Sequence, residues 1–189
     1  MINYKLILII NLDKETQLQV LKIRNEKSIR KQMFNEDEIS TNEHFSWIER
    51  LKTDQSQQYF IIIDESQQPV GAVNLKRIDN NKNAELGFYK SINHDEKGMM
   101  TKCLSVFIDY SFNTLGLEKI YSEAIEGNQK SINIHRRLLF LDEGFLRSHI
   151  IKDGKRVGLY LYGLLKDEWN IGKKDIDLQN DISIEIKHV

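Results

Sequence analysis

Residues 84–115 read AELGFYKSINHDEKGMMTKCLSVFIDYSFNTL, a short apolar strand, a polar loop with one glycine, and a long amphipathic helix. Nothing else in the chain limits the fold as much, because the strand must end where the helix starts back along it. Gly98 stands at that junction. A helix start leaves its first N–H groups unpaired at the positive end of the dipole, so an anion site is expected above the strand end. Alternation along the strand puts Glu85, Gly87 and Tyr89 on one face and Ala84, Leu86 and Phe88 on the other.

The rest of the chain supplies elements in an order that suits this unit. The apolar run between Leu6 and Leu12 reads as a first strand, and Asp13 can cap a helix running to about Gln32. Ser40 and Glu43 form a capping box, opening a helix that gathers Phe45, Ile48 and Leu51. Strands are expected at Tyr59–Asp64 and Val70–Ile78, and the loop 79–83 makes the Ala84 strand antiparallel to the one before it. Gly116 is a left-handed C-cap for the long helix. Then come a strand at Lys119–Ile125, a helix opened by Asn128, and a hairpin of Phe145–Ile151 and Arg156–Leu164 about Asp153-Gly154. After Trp169 the composition turns polar, and DISIEIKHV alternates like an edge strand, so the end is either an added strand or unstructured. Residues 1–169 are expected to be one domain and 170–189 a polar extension.

Composition excludes several classes. With 27 basic and 28 acidic residues the net charge is −1, which gives no electrostatic case for nucleic acid. The N-terminal apolar run is too short for a membrane span and has no signal cleavage site. One cysteine, Cys103, fits a reducing cytoplasm and reads as a buried apolar residue of the long helix. Five scattered histidines and that cysteine make no metal set.

The strand, the loop 95–101 with Gly98, and the later run Asn128, Ser131, His135, Phe140 together resemble the GNAT N-acetyltransferases. The resemblance implies an α/β fold with a mixed, mostly antiparallel, twisted seven-stranded sheet and about four helices. It implies acetyl-CoA as cosubstrate and no metal. Its site residues would be the strand end at Phe88 and Lys90, the loop and helix start at Lys97, Gly98, Met99, Met100 and Thr101, and Asn128 with Ser131 beside the pantetheine arm. Glu85 would be the base that takes the amine proton, and His135, at the position of the family's tyrosine, the acid for the departing thiolate. Three positions depart from the pattern: Asp95, Met100 where a small residue is usual, and Leu139 where a glycine precedes the phenylalanine.

The N-terminal third is similar to the branch that acetylates the UDP-linked 4-amino sugar of the pseudaminic acid pathway. By that likeness Arg24, Asn25, Arg30, His44, Trp47 and Tyr89 would bind the acceptor, a nucleotide-linked amino sugar. An arginine fork suits a diphosphate, and an indole or imidazole stacks on a uracil or sugar face. Two other readings stand beside it: an acetyltransferase of protein N-terminal amines, and a degenerate GNAT domain that binds without catalysis, to which Asp95, Met100 and Leu139 would belong. A homodimer through pairing of exposed strands stays open.

Overall fold

The computed structural model describes residues 2–176, 178 and 182–187. In chain order the elements are β1 (Ile2–Leu8), α1 (Lys14–Arg24), α2 (Lys27–Arg30), α3 (Thr41–Leu51), β2 (Gln58–Ile63), β3 (Pro69–Lys76) and β4 (Asn83–Lys90), then α4 (Met99–Asn113), β5 (Lys119–Ile125), α5 (Gln129–Arg137), β6 (Leu141–Lys152), β7 (Lys155–Leu165), α6 (Lys166–Gly172) and β8 (Ile182–Lys187). One eight-stranded sheet runs β6-β7-β5-β4-β3-β2-β1-β8. It is antiparallel except where β4 meets β5 and β1 meets β8.

Among the described residues, the expected seven strands and about four helices become eight strands and six helices. The eighth strand comes from the polar tail, which pairs in parallel with β1 from Ile2↔Ile182 to Ile7↔Lys187. Past Trp169 the chain stays attached as well: Trp169 is buried in α6, and its indole N–H donates to Asp109 Oδ1 of α4 at 3.2 Å. The first helix stops at Arg24 instead of reaching Gln32. The Asn25 side chain binds both main-chain groups of Ile39, and extended backbone at Glu26 turns the chain before α2 begins. Side-chain bonding to distant backbone competes with helix continuation here and wins.

Both faces of the sheet are covered, so β3 is buried along nearly its whole length. On one face α4 packs against Leu6, Phe60, Val73, Leu75 and Leu86. On the other, α1–α3 cover Ile61, Ile63, Ala72 and Tyr89 with Val20, Ile29 and Ile48. Cys103 lies in the first of these cores, and burial pushes its thiol pKa far up. Gly71 lets β3 lie close under β4: a Cβ there would come within 2.5 Å of Tyr89 O. Because that neighbour is backbone, Gly71→Ala should cost about 2 kcal/mol in urea unfolding. A stability within a few tenths of a kcal/mol of wild type would show that the end of β4 moves freely.

Candidate active site

The site begins where two parallel strands part. β4 and β5 pair only from Asn83↔Lys119 to Glu85↔Tyr121. Beyond that β4 keeps to β3 as far as Lys90, and β5 keeps to β7 as far as Ile125, so a wedge opens between them. The first main-chain group past the split, Leu86 O, accepts from the Ser122 hydroxyl at 2.9 Å. Main-chain direction alternates along a strand, so Phe88 and Lys90 also turn their N–H and C=O groups into the wedge.

Gly98 has φ 79° and no side-chain cap, and α4 carries no acid in its first turn. Its first amides, those of Met99, Met100 and Thr101, start the helix at its positively polarised end. The Met100 side chain is 7 % exposed and packs in the main core with Met99. Its bulk therefore lies with the core, so the large residue at this position does not crowd the start of α4. Asp95 and Lys97 are both exposed. The loop before Gly98 is tethered at two points: the Glu26 carboxylate accepts from Ser91 Oγ at 2.8 Å and Ile92 N at 3.3 Å, and Tyr4 meets His94 Nε2 at 2.7 Å. Burial raises the Tyr4 pKa to about 12, so the phenol stays protonated at neutral pH.

Asn128 caps α5 by accepting from Ser131 N–H at 3.2 Å, which occupies both residues with their own helix. His135 is where the sequence expectation is corrected. It is 1 % exposed, stacked flat on Tyr162 at 4.6 Å and walled by Phe88 and Phe140. Nδ1 lies 2.8 Å from Ser131 O, which can only accept, so the proton sits on Nδ1. Nε2 is 2.8 Å from Ser122 Oγ. Burial drives its pKa down to about 4. A neutral ring with both nitrogens engaged packs on Tyr162 and braces α5 against β5, which counts against the acid role expected from the sequence.

A second groove opens on the other face of the wedge. Here a groove of about 660 Å³ is lined by Phe34, Gln57, Arg77, Glu85, Glu123 and His149, among others. Glu85 Oε2 is ion-paired with Arg77 Nη1 at 2.7 Å. Glu123, absent from the sequence expectations, has its pKa raised above the ordinary carboxylate value: burial raises it first, Glu85 adds to this, and Arg77 and His149 oppose it. Its place becomes visible only once the strands are paired. Tyr121 stands opposite Glu85 in the register, and Glu123 is the next residue of β5 on that face. The groove is spanned by the β6–β7 hairpin, whose Lys152 binds Met33 O and, at 2.8 Å, Glu36 Oε1.

Most of the residues expected to bind the acceptor are instead bracing the segment between α1 and α3. Asn25 is committed to Ile39, and Arg30 donates to Asn25 O, Glu36 O and Glu38 Oε1. His44 is buried, with Nε2 3.0 Å from Gln17 O and its pKa lowered by burial. Trp47 sits edge-on to Tyr59 at 4.8 Å and tilted on His44. Physical neighbours thus claim Asn25, Arg30 and His44. Arg24 differs: its Nη1 is buried without a hydrogen-bond partner, near the bonded hydroxyls of Tyr59 and Tyr89. Burial raises the pKa of both tyrosines, and the Arg24 charge works against it.

Comparison with known proteins gives a consistent set of relatives. The family described as "Acetyltransferase (GNAT) domain" matches residues 8–140. The uncharacterized N-acetyltransferase p20 of Bacillus licheniformis is 32 % identical over 116 residues, 61 % of this chain and 65 % of that protein. The putative ribosomal N-acetyltransferase YdaF of Bacillus subtilis is 34 % identical over 52 % of this chain and 55 % of its own length. The chain therefore spans less than two thirds of the length of these two relatives. Spermidine N(1)-acetyltransferase of Escherichia coli K12 is 28 % identical over 76 % of this chain and 77 % of that enzyme. In fold, the chain matches the crystal structure of spermidine N-acetyltransferase from Vibrio cholerae in complex with CoA and spermine, with a TM-score of 0.79 at 22 % identity, covering 84 % of this chain and 95 % of that one. The relatives named by activity are thus spermidine and ribosomal acetyltransferases, in place of the sugar-nucleotide branch expected from the N-terminal third.

Proposed function

Because this chain belongs to the GNAT acetyltransferase family, we propose that it is an acetyl-CoA-dependent N-acetyltransferase working by direct attack of a primary amine in a ternary complex. The observation that carries this reading is the wedge between β4 and β5 together with the uncapped start of α4. Main-chain groups of Phe88 and Lys90, the amides of Met99, Met100 and Thr101, and the Lys97 ammonium are the groups to hold acetyl-CoA, which supplies the activated acyl group when bound. Burial of the Met100 side chain supports an open phosphate site over the degenerate, non-catalytic reading.

On the opposite face Glu123 takes the proton of the acceptor amine, and Glu85 shares the groove as its charged neighbour. Positioning of the two substrates accounts for much of the acceleration, so the chain needs no nucleophile of its own. The nucleotide-linked amino sugar expected from the sequence is one candidate acceptor, its diphosphate suited to an arginine fork. The relatives bring in spermidine and ribosomal amines as the competing acceptors. Calorimetric titration with acetyl-CoA tests the reading first. Saturable micromolar binding, worth about 7–8 kcal/mol, is expected; a flat titration would remove it.

A further inference from the structure

We propose that Arg77 is a resident cation of the acceptor groove, one that selects amines carrying no further positive charge by occupying the place such a charge would take. The inference deepens the reading above and rests on its assignment of this groove to the acceptor.

Arg77 directly follows β3, and its φ of 52° is left-handed, a conformation that costs a residue with a Cβ free energy and persists where the surroundings enforce it. From there the side chain crosses to β4, where Nη1 meets Glu85 Oε2 at 2.7 Å. The arginine side chain is 71 % exposed and the carboxylate only 17 %, so the pair consists of a groove acid and an arm reaching in from outside. Tyr121 is hydrogen-bonded to the same guanidinium, and the Glu123 carboxylate acts on it too. One cation thus answers both acids of the groove. Lys76 stands opposite Glu85 in the β3–β4 register and is itself exposed, yet the ion pair is made by Arg77.

The consequence is a matter of charge. A monoamine that gives its proton to Glu123 asks nothing of Glu85. A polyamine keeps further ammonium groups and needs a second carboxylate, so it must expel the guanidinium from Glu85. An exposed arginine arm can be displaced, which makes the arrangement a competition and not a block.

The test is calorimetry with spermidine at low ionic strength on wild type, Arg77→Gln and Lys76→Gln, the last removing the same charge from the same strand end. Arg77→Gln should bind spermidine about tenfold more tightly than wild type, Lys76→Gln within about twofold, and the gain should shrink at high salt. Equal tightening in both variants, unchanged affinity, or no spermidine binding by Arg77→Gln overturns the proposal. Acetyl-CoA titration of the same samples separates the two readings. Cofactor binding without a gain for spermidine removes the resident cation alone. A spermidine gain without cofactor binding removes the acetyltransferase reading and, with it, the acceptor role of the groove that Arg77 occupies.

Discussion

Glu123→Gln should lower kcat about a hundredfold with whichever acceptor the wild-type protein acetylates best, while acetyl-CoA affinity stays nearly unchanged. The size follows from the role: a positioned base removes a proton that the attacking amine must lose, and an amide of the same shape cannot accept it. Its environment suits the task, because burial and the neighbouring Glu85 raise its pKa and make it a stronger base than a free carboxylate. Two further readings should accompany the fall. The acid limb of the wild-type kcat/KM profile should lie above the ordinary carboxylate range and disappear in the variant. Stability should move the other way. A carboxylate whose folded pKa is raised above its unfolded value opposes folding once ionised, and that penalty is complete above the folded pKa. Removing the charge relieves it, so the melting temperature of Glu123→Gln at neutral pH should match or exceed that of wild type. A kcat within twofold of wild type would transfer the base role to Glu85.

What could be read from the sequence is what short-range physics decides. Gly98 before a long apolar helix, and the alternation of Glu85, Gly87 and Tyr89 against Ala84, Leu86 and Phe88, need only local periodicity, and the structure has both. The burial of Cys103 followed from its place on the helix face. What failed depends on long-range partners. Asn25 looked like a polar residue free for a ligand, but its amide closes on Ile39, fourteen positions away. Arg30 was expected to meet a diphosphate and instead gathers the carbonyls of its own loop. Glu123 was invisible because its meaning comes from the register of β5 on β4, which sets it beside Glu85 and Arg77 across a gap no periodicity reports. The eighth strand was half legible: alternation left open an added strand or an unstructured end, and nothing local says that it joins β1, at the far end of the chain, in parallel.

His135 gives the largest expected effect on stability. Wild-type stability should fall by about 3 kcal/mol as pH drops from about 6.5 to about 4, beyond the change in a His135→Phe variant. Its folded pKa of about 4 lies below the 6.5 of a free histidine, so in that interval the unfolded chain binds the proton and the folded chain does not. Stability therefore rises with pH through the window: it is fully present above the unfolded value and is lost on the way down to the folded one, at 1.36 kcal/mol per pKa unit. His44 is also held below its free value by burial and adds a slope of the same sign, which is why the difference from His135→Phe is the quantity to take. Phenylalanine keeps the stack on Tyr162 but gives up the bonds to Ser131 and Ser122, so the variant should be less stable at neutral pH and flatter in acid. Urea unfolding at several pH values gives both numbers. The same variant decides the chemistry. If His135 only braces α5 against β5, kcat at neutral pH should stay within about threefold of wild type; a hundredfold loss with the fold intact would return it to the reaction as the acid for the leaving thiolate.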